Sequence, residues 1–421
     1  MKIWLMNHYA SSMFRDKAGR HYWFAKELQK EGYDVTIFCA TTFLNSFEEI
    51  STGKSILTIK RKEGIPFVFV KTVASQQNGI DRIMNMCVFY KNLFPAMKKY
   101  SKKYGKPDVI LASSVHPLTM AAGIQAARKM NIPCICEVRD LWPEAIFIYG
   151  KAKEKSLIGR LLVFGEHWIY KNADAIIFTK EGDVDYLKEK KWTTKQGGDI
   201  ELGKCHYINN GVDLASYEQR MQENKLDDPD LDEEFFNVIY AGTIRPVNNV
   251  GNLLDAAKII AQKKGYEDVR FLIYGDGVEL SKLKERLKNE YIGNVVLKGF
   301  VDRKYIPYIL SKSSINVLNY SQNQYNWKRG NSSNKLFEYM ASGKPVLSTV
   351  HMGYSIINRY HCGVELEEDT PVHLARQIMK FHDMSSEEQK KYGSNAKDGV
   401  KDFDFRILTL KLIDVIDSVK R

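Results

Sequence analysis

No stretch of about 18 uninterrupted apolar residues occurs in this 421-residue chain, so no membrane-spanning helix is expected. A signal peptide is not expected either, because Met1-Lys2-Ile3-Trp4-Leu5-Met6 runs into polar Asn7-His8 too soon. Cysteine is sparse, and the six residues (Cys39, Cys87, Cys134, Cys136, Cys205, Cys362) are scattered, several in apolar strand-like runs. That pattern argues against a disulfide framework and for reduced, buried thiols in a cytosolic protein. Cys134 and Cys136 would share one strand face but lack the further ligands of a zinc site. Acidic residues are scarce in the first half: residues 1–212 hold 21 Asp and Glu against 32 Lys and Arg, whereas the remainder balances at 30 against 30. The whole net charge of +11 therefore belongs to the first half. Nucleic acid, anionic lipid and pyrophosphate-bearing substrates all suit such a surface. No nucleic-acid-binding module is recognisable, so the charge points to a membrane surface or a phosphorylated lipid.

What is present is an alternation of apolar strands and amphipathic helices, repeated twice. In the first half strands are expected at Ile3 to Met6, Asp34 to Cys39, Phe67 to Val70, Val109 to Ala112, Cys134 to Val138 and Ala175 to Phe178, with a helix from about Arg20 to Lys30. The second half repeats the scheme at Asn237 to Gly242, Arg270 to Gly275, Val295 to Leu297, Ile315 to Leu318 and Pro345 to Ser348. Continuous apolar strands separated by helices predict parallel sheets covered on both faces. The fold class is thus α/β, with two Rossmann-like domains facing across a cleft. The expected domains are 1–207 and 208–399, with a last helix, about 400–421, packing back on the first. Ligands in such folds collect at the carboxyl ends of the strands.

The run Ser332-Ser333-Asn334-Lys335-Leu336-Phe337-Glu338-Tyr339-Met340-Ala341-Ser342-Gly343-Lys344-Pro345-Val346 carries the most chemical information. Ser332, Ser333 and Asn334 are typical N-cap residues, behind which first-turn amides and the helix dipole favour an anion. Lys335 places a cation where the dipole favours a carboxylate, which suggests a negative ligand attracted by both. Glu338, one turn on, can hold paired hydroxyls such as those of a ribose; phosphate and ribose together mean a nucleotide. The other reading is a capped surface helix with a solvated lysine.

Two further segments are ambiguous. From Asp81 to Tyr104 apolar and aromatic residues interleave with Lys91, Lys98, Lys99, Lys102 and Lys103, and Pro95 is expected to interrupt any single helix. Packing on its own sheet is the preferred reading, with partial membrane contact compatible. Asp183-Val184-Asp185 matches the Asp-x-Asp pattern of metal-dependent transferases, but it falls in a helix-like segment and is read as surface acid.

A series of motifs then fixes a resemblance. Gly19-Arg20-His21-Tyr22 opens the first helix, Ser113-Ser114-Val115-His116-Pro117 follows a strand, and Glu137-Val138-Arg139-Asp140-Leu141-Trp142-Pro143-Glu144 covers the end of another. Asn209-Asn210-Gly211-Val212-Asp213, Tyr240-Ala241-Gly242-Thr243-Ile244-Arg245, Tyr274-Gly275-Asp276-Gly277 and Gly299-Phe300-Val301 come next, before the helix at Ser333. In this order and spacing the chain resembles the retaining GT-B glycosyltransferases of family 4, in particular bacterial amino-sugar transferases of O-antigen and capsule synthesis.

The resemblance implies a UDP-sugar bound mainly by the second domain and an acceptor bound mainly by the first, with neither metal nor cofactor. Gly19, Arg245, Gly275, Phe300, Ser333, Asn334, Lys335, Leu336 and Glu338 would bind the nucleotide sugar. Among them Lys335 and Arg245 meet the diphosphate and Glu338 the ribose. His116 would contact the donor sugar, and Asp140, flanked by Arg139, would orient or deprotonate the acceptor hydroxyl. Arg20, Arg139 and Asp140 form the implied acceptor side, and Asp140, His116, Arg245 and Lys335 the catalytic set. Two departures stand out. The family's usual lysine after the Arg245 strand is missing, with Asn248 and Asn249 nearby, so Lys335 would have to supply that charge. The family pairs Glu338 with an earlier glutamate at the position of Gly330, so Asn331, Ser332 or a backbone amide would have to substitute. The expected partners are a UDP-linked N-acetylated sugar, a polyprenyl-pyrophosphate-linked saccharide and an anionic membrane surface, on the cytoplasmic face of the plasma membrane. An NDP-sugar epimerase and a non-catalytic partner subunit are the alternatives.

Overall fold

A computed structural model describes the chain except for residues 44, 45, 47, 75–78, 115, 149, 151, 323–325 and 421. Val115, within one of the motifs above, and Arg421, the end of the expected last helix, lie outside the described residues. The chain divides into two compact units, Met1–Asn209 with Phe405–Arg421, and Asn210–Asp404.

The first unit is built on eight strands: β1 (Lys2–Met6), β2 (Asp34–Ala40), β3 (Leu57–Lys62), β4 (Ile65–Val70), β5 (Val109–Ser114), β6 (Cys134–Val138), β7 (Ala175–Phe178) and β8 (Cys205–Tyr207). They lie in the order β3-β4-β2-β1-β5-β6-β7-β8, all parallel except the β3–β4 hairpin. Alternate residues of β1 feed different cores: Trp4 and Met6 pack with Phe38, Val68 and Phe89, whereas Ile3 and Leu5 pack with Phe24, Ile37 and Leu412. Burial on both faces explains why these strands read as unbroken apolar runs. Helix Phe405–Ser418 lies against helix Arg20–Lys30 and closes the second of these cores with Phe405, Leu408, Leu412, Val415 and Ile416.

The second unit carries β9 (Phe236–Ala241), β10 (Val269–Tyr274), β11 (Val295–Gly299), β12 (Ile315–Leu318), β13 (Val346–Ser348) and β14 (Gly363–Glu365), in the order β11-β10-β9-β12-β13-β14 and all parallel. Both sheets reverse strand order beside their first strand, between β1 and β5 and between β9 and β12. Such switch points leave a crevice at the strand ends where ligands bind.

Three expectations need correction. Pro95 does not break its segment: helix Ile80–Tyr104 is continuous, burying Phe89, Leu93, Ala96, Met97 and Tyr100 while its lysines stay outside. Asp183 is not surface acid. It opens helix Asp183–Glu189 fully buried, 3.9 Å from Lys180 Nζ, while Asp185 pairs with Lys188 at the surface. Strands β3, β8 and β14 were not anticipated.

Candidate functional site

At the switch point of the second unit the chain leaves β9 through Gly242 and leaves β12 through Asn319 and Tyr320. Helix Asn334–Ala341 follows, with Ser333 extended at its N-cap and no side chain capping its first turn. The Ser333 hydroxyl is used elsewhere, accepting a hydrogen bond from Tyr320 at 2.7 Å. Lys335 folds back between two aromatic rings, its Nζ 4.8 Å from the centroid of Tyr240 and 4.7 Å from that of Tyr320. It also lies 3.3 Å from the Tyr240 hydroxyl. With its amide oriented to satisfy both ends, Asn248 donates to the Thr243 carbonyl at 2.9 Å and accepts from Lys335 Nζ at 3.2 Å. Gly242 makes room for the lysine, because a Cβ there would stand 2.8 Å from Lys335 Cδ.

Among the described residues no carboxylate pairs with Lys335. Burial, and then the nearby Arg245, depress its pKa from 10.5 to about 7. Desolvation penalises the ammonium, and a second cation adds to the penalty. Arg245 itself is exposed and opens the short turn Pro246–Asn248. Two basic side chains and an uncapped helix start thus gather at one strand end, with no counter-charge among the described residues.

Glu338, one turn along the helix, is mostly buried, and its Oε1 accepts from Arg303 at 2.9 Å. A ribose at this carboxylate must share it with that guanidinium. Phe300 stands 80% exposed just beyond β11, its ring available for stacking. Gly275 is fixed by the backbone: its φ is +147°, its amide donates to Gly299 at 2.7 Å, and a Cβ would fall 1.8 Å from the Gly242 carbonyl oxygen. Asn334 is exposed at the helix start, whereas Leu336 is buried in the core. Gly330 has φ +98°, which L-residues rarely adopt, so the loop is not shaped for a glutamate there. Asn331 instead accepts from the Ser333 amide at 2.8 Å.

In the first unit the switch point gathers histidines. His8, just after β1, and His116, just after β5, are both buried, with His8 Nδ1 2.6 Å from His116 Nε2. His8 Nε2 lies 2.6 Å from Asn85 Oδ1. The Asn85 amide nitrogen donates to the Val73 carbonyl, which can only accept, so the amide orientation is fixed. His8 therefore carries its proton on Nε2, its Nδ1 accepts from His116 Nε2–H, and His116 Nδ1 is left a bare acceptor. Among the described residues that atom has no hydrogen-bond partner. Burial holds His8 down to about 3 and His116 well below the ordinary range, so both rings are neutral at pH 7.

Beside them Glu137, buried within β6, accepts from Arg20 at 2.6 Å, His21 at 2.9 Å and Ser113 at 2.7 Å. Burial alone would raise its pKa, but Arg20 and His21 overcome this and hold it well below the usual carboxylate range. Arg20 also donates to the carbonyls of Asn209 at 2.5 Å and Ile208 at 2.9 Å. The acceptor-binding role expected of Arg20 is therefore corrected: its side chain is 2% exposed and committed to Glu137 and the chain turn. Asp140, at the end of β6, projects into solvent with its side chain 54% exposed, 4.0 Å from the buried Lys180. Lys180 is its ion-pair partner, whereas the Arg139 amide donates to Ser114 and its carbonyl accepts from Thr179. Gly19, with φ +108°, opens helix Arg20–Lys30 where a side chain would press on Met13.

Sequence reasoning missed Tyr240, Tyr320, His8 and Asn85 as parts of the site. One signal was available: Tyr240 lies two residues before Gly242, and so shares the strand face that the glycine opens.

Two parallel α/β units with strand-end sites at their switch points define the GT-B class of transferases. Residues 20–193 match the family model described as glycosyl transferase 4-like domain, and residues 221–399 match glycosyl transferases group 1. The chain is a glycosyltransferase of the GT-B fold. It is similar to a sucrose-phosphate synthase from Thermosynechococcus elongatus (17% identity, TM-score 0.70, covering 99% of this chain and 98% of that one). It is similar also to HepE from Anabaena in complex with UDP (14%, 0.66, 99% and 100%). A third similar structure is WaaG, a glycosyltransferase involved in lipopolysaccharide biosynthesis (14%, 0.65, 99% of both chains). No curated protein matches the sequence.

Proposed function

We propose that this glycosyltransferase is a retaining enzyme moving an N-acetylated sugar from a UDP-sugar to a polyprenyl-pyrophosphate-linked saccharide, in surface polysaccharide synthesis. The carrying observation is Lys335, a half-buried amine with no carboxylate partner among the described residues, set beside Arg245 and an uncapped helix start. A diphosphate supplies the missing charge. As the sugar–phosphate bond breaks, negative charge grows on the leaving oxygen, and fixed cations and amides stabilise it without reorganising. Glu338 and Arg303 then hold the ribose, and Phe300 lies under the base. His116 contacts the donor sugar, and Asp140 orients the acceptor hydroxyl, whose proton passes to the departing diphosphate on the same face. Lys335 and Arg245 take the place of a divalent cation, so no metal is needed. The liganded state of HepE, with UDP bound, supports a uridine donor. The basic first half supports a phosphorylated acceptor at an anionic membrane, and among the described residues no helix is long and apolar enough to cross it.

The test is calorimetry of the purified protein with UDP, GDP and ADP, without added metal. Selective UDP binding that is lost in Glu338→Ala supports the assignment. Equal binding of all three, or none, refutes it.

A further inference from the structure

Helix Leu157–Asn172 is turned the opposite way from an ordinary surface helix. Its outward stripe is apolar, with Leu157 86%, Ile158 66%, Leu161 68% and Phe164 67% exposed, the highest values of any helix in the first unit apart from Ile80. Leu157, Leu161, Phe164 and Trp168 follow the i, i+4, i+7, i+11 spacing of a single face. Beneath this stripe runs an open groove of about 430 Å³ lined by Pro117, Leu118, Trp142, Pro143, Phe164 and Trp168. Its lining is almost wholly carbon. Glu166, the one carboxyl residue there, is buried and accepts from the hydroxyls of Tyr170 and Tyr186.

The charges beside the stripe that lack an ion pair among the described residues are of one sign. Lys153, Lys155 and Arg160 are exposed beside it without an ion-pair partner among the described residues. Glu154, the acid within that run, is tied to Lys190. A second copy of this chain on the stripe would set cation against cation. An anionic bilayer meets both features, taking the apolar side chains among its acyl chains and the lysines at its headgroups.

We propose that the outer face of helix Leu157–Asn172 is a membrane-docking surface for an anionic bilayer, with the groove receiving a hydrocarbon chain. The face lies next to the acceptor side, because Trp142 and Pro143 follow Asp140 directly at the end of β6. A lipid-linked saccharide would thus reach Asp140 without leaving the membrane. For this purpose, though not for the docking itself, the proposal rests on the acceptor reading above.

The test is flotation of the full chain with phosphatidylcholine vesicles, with and without phosphatidylglycerol, in the absence of substrate. The expected result is binding to the anionic vesicles only, weakened by salt, and reduced about tenfold or more in the doubly substituted Leu161→Glu, Phe164→Glu protein. These side chains are exposed, so an unchanged thermal melt and unchanged UDP affinity show that the variant is folded. Equal vesicle binding by variant and parent overturns the proposal. So does a parent that ignores anionic vesicles, or one that forms dimers the variant lacks. Transfer assays separate the two readings. A parent that docks but glycosylates no lipid-linked saccharide sinks the acceptor reading alone. A parent that glycosylates one in detergent, while the variant still docks normally, sinks the docking face alone.

Discussion

If Lys335 is largely uncharged until a diphosphate arrives, donor binding must draw a proton from solution. The free lysine titrates at about 7, and a bound diphosphate returns it toward or above its ordinary 10.5. At pH 7.5 the free site then holds about a quarter of a proton, so each UDP bound takes up about three-quarters of one. Affinity should fall about twentyfold between pH 7.5 and pH 9, as an increasing share of the binding energy goes into recharging the lysine. The assay is calorimetry at one pH in buffers of different ionisation enthalpy, where proton uptake makes the apparent enthalpy depend on the buffer. Stability gives an independent check. The folded pKa is depressed, so the unfolded chain holds more protons between about pH 7 and 10.5, and stability rises with pH across that window. At pH 7 the depressed lysine costs at most about 4 kcal/mol, less the share that solvent at this half-buried side chain screens. Lys335→Met should therefore raise the unfolding midpoint of the empty enzyme while weakening UDP and abolishing proton uptake. Buffer-independent enthalpies with a flat pH profile would refute the reasoning, because they would mean the ammonium is already charged in the empty site.

Three further outcomes are expected. Replacing Asn85 with Leu removes the acceptor that fixes the His8 proton, so nitrogen NMR should show His116 in mixed tautomers and kcat should fall while UDP affinity holds; a single unchanged tautomer would end this account. Glu137→Gln leaves Arg20 and His21 facing a neutral amide in a dry site and should cost about 3–5 kcal/mol in urea unfolding, whereas a loss below about 1 kcal/mol would show that the network is not strongly coupled. Asp140→Asn should reduce transfer far more than UDP binding, and full transfer activity would remove Asp140 from the site.

The central strands were legible because burial on both faces forces long apolar runs, as in Ile3 to Met6 and Val109 to Leu111. β3, β8 and β14 were not, for a related reason. They are sheet-edge strands, short or polar (Leu57–Lys62 reads LTIKRK), and covered on too little of their surface to need that pattern. At the site, Lys335 stood out as a cation at the wrong end of a helix. The rings around it did not, since tyrosines in strands resemble ordinary core. Arg20 and Asp183 misled in the other direction, because a charged residue reads as solvated: only the fold brings Glu137 to Arg20, and only the fold buries Asp183 beside its near neighbour Lys180. The same holds for His8 and Asn85, which are 77 residues apart and meet only at the switch point.

The return of the chain to its first unit has a consequence for biosynthesis. The second unit is an insertion whose two ends are tied together, with the Val212 amide donating to Phe403 at 3.1 Å and Val212 bridging Asp404. It has every residue it needs once Asp404 has been synthesised. The first unit does not, because Trp23 and Phe24 lack the Phe405 ring, and their core lacks Leu408, Leu412 and Ile416, until the last helix arrives. On the ribosome the half made first is thus the half finished last. A chain stopped before residue 405 would leave Trp23 and Phe24 without the ring that packs on them, and their core open to solvent.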